Sequence, residues 1–247
     1  MHVGQLDGRV AVITGSTTGI GFAIAKALFG EGASVVLNGR NEETGAKARQ
    51  ELGDPDRSVF VAADVRSREG VDSLVAAAVE QFGTLDIMVN NAGGLNATAP
   101  VVDMTDEVWD DAIKWNLYAT FWGTRAALKV LIPKRSGRII NISSVAASYP
   151  TVGQTNYAGP KAAVEALTRC LAVEFHKRGV TVNCVSPGLI DTEMGNQGDV
   201  PFVLSHQLVK RLGKPEEIAA WILMLASRYG DYVSGRVFEL DGGFMMV

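Results

Sequence analysis

Short apolar runs alternate with longer stretches of helical periodicity along the whole chain. Val10–Thr14, Ser34–Asn38, Ser58–Ala62, Leu85–Asn90, Gly137–Ile142, Val180–Val185 and Arg236–Leu240 read as strands. They are continuous apolar runs with little polar alternation, as strands buried on both faces must be. Between them, Ile20–Phe29, Glu42–Leu52, Arg68–Phe82, Asp106–Leu131, Ala158–Arg178 and Pro215–Ser227 read as helices. Strands alternating with helices of this length predict parallel βαβ units. The expected fold is α/β: a Rossmann-type, doubly wound parallel sheet of about seven strands. No Pro/Gly/Ser-rich linker and no repeat divides the chain, so one domain spanning 1–247 is expected.

Composition narrows the reading. Charge sums to 23 − 27, a net of −4, which gives no electrostatic reason to expect a nucleic-acid partner. The longest wholly apolar run, Ile218–Ala226, has nine residues, against about twenty for a membrane span. The N-terminal MHVGQLDGRV lacks the apolar core of a signal peptide. Cys170 and Cys184 form neither a disulfide framework nor a zinc set, so a reduced, cytoplasmic setting is expected. The three histidines are scattered, and no metal is expected.

Glycine is in excess, and its positions carry chemistry. Directly after the first strand comes Thr14-Gly15-Ser16-Thr17-Thr18-Gly19-Ile20-Gly21, which opens a helix. Gly15 permits a tight turn, Gly19 lets the backbone approach a pyrophosphate, and Gly21 lets the helix lie close to the strand. The helix N-terminus offers free N–H groups and a partial positive charge to phosphate. A nicotinamide dinucleotide is the expected ligand. At the end of the second strand an NAD site would place an acid; here the chain reads Asn38-Gly39-Arg40. Arg40 suits a 2′-phosphate, which favours NADP(H) and leaves NAD(H) possible.

The glycine spacing TGxxxGxG and a set of later motifs resemble the short-chain dehydrogenase/reductase family over essentially the whole chain. Within that resemblance Asp64-Val65 match the pair that holds adenine, and Asn90-Asn91-Ala92-Gly93 match an NNAG turn after the fourth strand, of which Asn91, Ala92 and Gly93 would meet the cofactor. Pro187, Gly188, Ile190 and Thr192 match the stretch that meets the nicotinamide end, and Asp241-Gly242-Gly243 close the last strand. Asn116, Ser144, Tyr157 and Lys161 match the catalytic set, with Tyr157 and Lys161 forming YxxxK thirteen residues after Ser144. Ser143 is the rival for Ser144.

The chemistry explains those residue types. Reduction of a ketone needs a hydride on carbon and a proton on oxygen. A free tyrosine, with a pKa of about 10, shuttles protons poorly at neutral pH. A lysine four residues on shares its helix face. Its ammonium favours the tyrosinate and can bond the nicotinamide ribose. Tyr157 is then general acid and base, Ser144 bonds the substrate oxygen, and Asn116 holds a water that links Lys161 to solvent. Pro160, inside YxxxK, is tolerated only in a first turn, so the helix should start close to Tyr157, capped by Thr155 or Asn156.

Three segments should line the substrate pocket: Gly94–Thr98, Val145–Gln154, and a lid at about 190–212 carrying Phe202, Val203 and Leu204. The family includes bacterial 3-oxoacyl-carrier-protein reductases, and Arg135 and Arg178 match basic positions of their carrier-docking patch. The substrate is expected to be a small carbonyl compound or alcohol, carrier-bound in that reading. The alternatives are a dehydrogenase of sugars, polyols or small secondary alcohols and, more remotely, a nucleotide-sensing scaffold. Trp115, Tyr118 and Trp122 share a helix face, as do Leu167, Leu171 and Phe175. The resemblance makes these helices subunit contacts and the protein a homo-oligomer, a tetramer.

Overall fold

The apolar runs pair into one seven-stranded sheet in the order β3-β2-β1-β4-β5-β6-β7, and every pairing is parallel. The computed structural model describes residues 4–245. The strands are β1 (Val10–Ile13), β2 (Ser34–Gly39), β3 (Ser58–Ala62), β4 (Ile87–Asn90), β5 (Gly137–Ile142), β6 (Val180–Pro187) and β7 (Val237–Leu240). The helices are α1 (Gly19–Gly30), α2 (Glu42–Leu52), α3 (Arg68–Phe82), α4 (Asp106–Ile113), α5 (Ala119–Lys134), α6 (Thr155–Phe175), α7 (Val200–Ser205) and α8 (Pro215–Ala226). This is the single-domain, doubly wound α/β architecture expected from the sequence. No helix among the described residues is long and apolar enough to cross a membrane.

Strand periodicity sends alternate residues into two cores. Ala11 and Ile13 of β1 join Ile24 and Leu28 of α1 and Ile218 and Ile222 of α8 on one face. Val10 and Val12 join Leu74 of α3, Leu128 and Leu131 of α5 and Leu171 of α6 on the other. Chain order reverses between β1 and β4, which opens a crevice at their carboxyl ends where α/β sheets bind ligands.

Three elements differ from the expectation. The single helix expected over Asp106–Leu131 is divided by a π-helical turn, Lys114–Tyr118, between α4 and α5. A one-residue expansion of the ladder leaves the hydrophobic period almost unchanged, so the sequence does not announce it. The helix after β5 begins at Thr155 rather than near Tyr157. Neither Thr155 nor Asn156 caps it; Gln154 is the N-cap, and its carbonyl accepts from the N–H groups of Tyr157 and Ala158 at 3.0 and 2.8 Å. Pro160 therefore lies in the second turn, where it withholds one N–H from the Asn156 carbonyl, and the helix runs through it to Phe175. Within the lid expected at about 190–212, for which the sequence offered no regular element, Val200–Ser205 is a short helix capped by Asp199, whose carboxylate accepts from Phe202 N at 3.0 Å.

At the amino end of the sheet one buried carboxylate ties three elements together. Asp86 accepts from Lys134 Nζ at 2.7 Å, from Arg9 Nη1 at 3.2 Å and from Val10 N at 3.0 Å. Burial pushes its pKa up, but these donors outweigh burial and hold it below the ordinary carboxylate value. A depressed acid contributes stability above its unfolded pKa and loses it as pH falls through the folded one. Asp86→Ala should therefore cost about 1–3 kcal/mol at neutral pH, since the buried Val10 N–H loses its acceptor while Lys134 and Arg9 keep access to water. In urea melts, the deficit relative to wild type should shrink below about pH 4.

Candidate active site

The glycine loop after β1 is held by its neighbours rather than by itself. Gly15 and Gly19 take φ of +62° and +56°, which only glycine adopts without strain. A Cβ on Gly21 would lie 2.1 Å from the Gly15 carbonyl oxygen, so the loop and α1 meet where no side chain fits. From β2, Asn38 Oδ1 accepts from Gly15 N at 3.0 Å, and Asn38 N donates to Ser16 Oγ at 2.9 Å. From the turn after β4, Asn91 Nδ2 donates to the carbonyls of Thr14 and Gly15 at 2.9 and 3.0 Å. Thr14 Oγ1 in turn accepts from the N–H groups of Asn91 and Ala92, each at 2.9 Å. Ser16 is fully buried and structural, whereas Thr17 packs its side chain against Gly39. Thr18 supplies no side-chain cap, so the first N–H groups of α1, from Gly19 and Ile20 on, can serve an anion.

Around this loop gather the other positions expected to hold a dinucleotide. Arg40 is exposed just past β2, and α2 follows with Asn41 as its N-cap. Asp64 and Val65 follow β3. The Arg66 guanidinium beside Asp64 holds its carboxyl low against the opposing pull of burial, and the Arg40 charge adds to this. Pro187 ends β6 and Gly188 N donates to Leu240 O at 3.0 Å, so the last strand backs this corner. Ile190 is buried and bridges to Gly213. Thr192 reaches over the loop: a Cβ on Gly19 would lie 3.4 Å from its Cγ2. The cradle that these residues form has backbone where side chains would block it, which fits a dinucleotide.

Ser144, Tyr157 and Lys161 converge at the carboxyl end of β5. Ser144 is extended, caps the turn Val145–Ala147 and accepts from Ala146 N at 3.2 Å. Tyr157 and Lys161, four residues apart in α6, face the same way, with Nζ 5.7 Å from the centre of the phenol ring. Lys161 is 3% exposed, and Nζ donates to Ile142 O at 2.9 Å. Burial lowers its pKa to about 8. Burial also raises the Tyr157 phenol, while a hydrogen bond with Ser144 pulls it down. Without a bound cofactor the phenol is thus protonated at neutral pH. Ser143 points inward, its Oγ 3.1 Å from Lys161 O and 2.9 Å from Glu165 Oε1, so the half-buried Ser144 is the serine beside Tyr157.

Asn116 lies in the π-helical turn and is fully buried. Its Nδ2 donates to Gly94 O at 3.0 Å and Ala112 O at 3.1 Å, and its Oδ1 accepts from Gly94 N at 2.9 Å. The side chain is committed to clamping the turn after β4. Gly93 sits between it and the lysine: a Cβ there would lie 2.7 Å from Asn116 Oδ1 and 2.9 Å from Lys161 Nζ. Met194 and Trp115 close on Gly94 from either side.

Two contributors were not singled out in the sequence as site residues. Asn38 and Asn141 are the penultimate residues of β2 and β5, and both are buried, as is Asn90 of the NNAG turn at the end of β4. Asn90 Nδ2 donates to Asn141 Oδ1 at 2.8 Å, and Asn141 Nδ2 to Thr168 Oγ1 at 2.9 Å, locking β4, β5 and α6 in register. The available signal was an asparagine at the carboxyl end of an otherwise apolar strand. Arg135 and Arg178 lie in turns at the amino ends of β5 and β6, away from Ser144; Arg135 Nη2 donates to Lys177 O at 3.0 Å.

Comparison with known proteins agrees with this geometry. The family model described as "Enoyl-(Acyl carrier protein) reductase" matches residues 15–245. The chain is 37% identical to the 3-oxoacyl-[acyl-carrier-protein] reductase FabG of Vibrio harveyi, over 98% of this chain and 100% of that one. A solved 7α-hydroxysteroid dehydrogenase, complexed with NADH and 7-oxo glycochenodeoxycholic acid, superposes with a TM-score of 0.92 at 30% identity. That match covers 100% of this chain and 98% of the other. A short-chain dehydrogenase/reductase of Brucella melitensis, titled glucose/ribitol dehydrogenase, also gives 0.92, at 33% identity, over 98% and 99% of the two chains.

The lysine gives a stability test that needs no substrate. Its folded pKa of about 8 lies below that of the free side chain. Between those values the unfolded chain binds the extra proton, so the lysine's own contribution to native stability should rise as pH goes from about 8 to about 10.4, against the opposing slope of the Cys184 thiol, which burial pushes up to about 12. Lys161→Met should remove that rise, read as urea midpoints across the range.

Proposed function

The chain belongs to the short-chain dehydrogenase/reductase family and is an oxidoreductase, and from that premise we propose that it reduces a 3-oxoacyl thioester to the secondary alcohol with NADPH. The convergence of Ser144, Tyr157 and Lys161 beside a phosphate-competent glycine loop carries this reading. A reduced nicotinamide supplies the hydride. Tyr157 gives its phenolic proton to the substrate oxygen, and Ser144 hydrogen-bonds that oxygen as its charge develops. Lys161 bonds the nicotinamide ribose hydroxyls and, as an ammonium, lowers the cost of the tyrosinate left behind. Asn116 works through Gly94: it fixes the turn that would face the ribose and the lysine. The water relay expected at Asn116 would use acceptor capacity beyond the bonds that its side chain already makes.

The pyrophosphate is assigned to Gly15–Gly21, the adenosine end to Asp64 and Val65, and the stretch between adenosine and nicotinamide ribose to the Asn91–Gly93 turn. The nicotinamide end is assigned to Pro187, Gly188, Ile190 and Thr192. Arg40 is exposed, no acid ends β2, and no ion pair engages Arg40 among the described residues, all of which supports a 2′-phosphate partner. Residues 190–212 act as the substrate lid. There Phe202 lies 6.4 Å, centre to centre, from Phe244, which is 6.0 Å from Tyr149 of the segment after Ser144. The acyl group is carrier-bound in this reading. The protein works as a homo-oligomer, a tetramer, through α5 and α6; of the faces expected there, Leu171 is buried and Trp115, Trp122, Leu167 and Phe175 pack against the core, which leaves Tyr118, Phe121 and Val173 standing out to solvent.

Initial rates with an acetoacetyl thioester should be much faster with NADPH than with NADH. Arg40→Ala should weaken NADPH about tenfold or more, the worth of a charge-assisted bond, and leave NADH almost unchanged. Equal effects on both cofactors would remove the 2′-phosphate reading. Turnover of a polyol or a sugar, but not of the thioester, would establish the alcohol-dehydrogenase alternative.

Tyr157→Phe should lower kcat by about 10²–10⁴-fold with cofactor binding retained. Full turnover in that variant would refute the proton-transfer role.

A further inference from the structure

Five polar side chains run in unbroken contact from the end of β3 to the residue beside Tyr157. Arg66 Nε donates to both Asp64 oxygens at 3.1 Å, and Nη2 to Oδ2 at 2.8 Å. The same guanidinium turns Nη1 to Asp111 of α4, at 3.2 Å from Oδ1 and 3.3 Å from Oδ2. Asp111 Oδ2 accepts from Asn96 Nδ2 at 3.3 Å. Asn96 Oδ1 accepts from Asn156 Nδ2 at 3.1 Å, and Asn156 also donates to Ala97 O at 3.1 Å. Asn156 is fully buried and immediately precedes Tyr157.

The middle of this chain holds a segment with little else to fix it. From Asn91 to Pro100 the backbone has no regular structure. Past Asn91 and Ala92, which Thr14 and Gly15 hold, its ties are the Asn116 clamp on Gly94, one Ala99 N to Gly153 O bond at 3.0 Å, Asn96 Nδ2 to Val108 O at 3.4 Å, and the Asn96 and Ala97 contacts. Arg66 is shared between two carboxylates, and one of them, Asp64, stands at the adenosine corner. A donor on the base that engages Asp64 draws on the same oxygens that hold Arg66. The guanidinium then bears more on Asp111 and, through it, on Asn96 and Asn156.

We propose that Asp111 is a positioning residue that couples engagement of the adenosine half of the cofactor to the placement of the 94–97 segment and of the start of α6. The proposal rests on the assignment of Asp64 to the adenosine half. Asp111 touches neither cofactor nor substrate; it transmits between residues that do. Because coupling is reciprocal, the nicotinamide half should bind more tightly when the adenosine half is in place, beyond any direct contact between them.

Splitting the cofactor tests this on the full chain. The probes are adenosine 2′,5′-bisphosphate and reduced nicotinamide mononucleotide. The affinity of the mononucleotide is read by its fluorescence, with and without saturating bisphosphate. In wild type the bisphosphate should tighten the mononucleotide by about fivefold or more, the lower end of ordinary coupling. It should also slow amide hydrogen exchange at 94–97 and 154–157. Asp111→Ala should reduce the factor to about one with each fragment still binding alone, and the exchange effect should stay confined to the glycine loop and Asp64–Val65. Asn96→Ala, on the exposed side of the chain, should do the same and guards against a folding defect at Asp111. Undiminished coupling in both variants, or none in wild type, overturns the proposal. Failure of the bisphosphate to protect the Asp64–Val65 amides would instead overturn the adenosine assignment beneath it, and the proposal with it.

Discussion

The glycine loop can be a ligand cradle only because two asparagines from neighbouring strands hold its backbone. A loop with glycines at positive φ has high conformational entropy when free, and nothing in its own side chains fixes one shape. Asn38 bonds the Gly15 N–H from β2, and Asn91 bonds the Thr14 and Gly15 carbonyls from the β4 turn. Both are placed by parallel pairing of β1 with β2 and β4, which brings three carboxyl ends to one edge. The shape of the loop is therefore a property of the sheet. The turn carrying Gly93 is tied to the loop by the two Asn91 bonds among these three.

The second dependency is electrostatic. Tyr157 and Lys161 share a face of α6, but burial drives their pKa values toward neutral forms, up for the phenol and down for the ammonium. Among protein groups the lysine is answered by one carbonyl, of Ile142, and the phenol by Ser144. A buried cation with so few partners carries a desolvation cost that a polyhydroxylated ligand would relieve. Helix α6 is anchored on both sides of this pair, by Asn156 to the 94–97 segment and by Thr168 to Asn141. Orientation is thus set by hydrogen bonds outside the reacting groups.

Fold class, the alternation of elements and most strand and helix limits were legible in the chain, because parallel strands buried on both faces leave uninterrupted apolar runs. Glu42–Leu52, Arg68–Phe82 and Gly137–Ile142 have the limits that periodicity and caps imply. The convergence of Ser144, Tyr157 and Lys161 was implied by the family resemblance, and the four-residue spacing by itself put only Tyr157 and Lys161 on one helix face. What lay beyond reach was set by tertiary contact. The π-helical turn depends on Asn116 meeting Gly94, which no local pattern encodes. The start of α6 at Thr155 was masked by Pro160, whose usual place in a first turn pointed to a later start. Asn38 was read as strand end rather than as loop support, since its partners Gly15 and Ala63 lie 23 and 25 residues away.

The π-helical turn absorbs one residue without changing the phase of the helices it joins. Its wider turn advances the azimuth by less per residue than the about 100° of an α-helix, so α4 and α5 keep the relation that a continuous helix would give them. Leu128 and Leu131 therefore stay in the core while the bulge carries Asn116 to Gly94. A regular α-helix through Lys114–Tyr118 would keep the apolar seam and lose the polar clamp. The packing of this segment and its contact with the turn after β4 are thus separable, and the surplus residue serves the clamp alone.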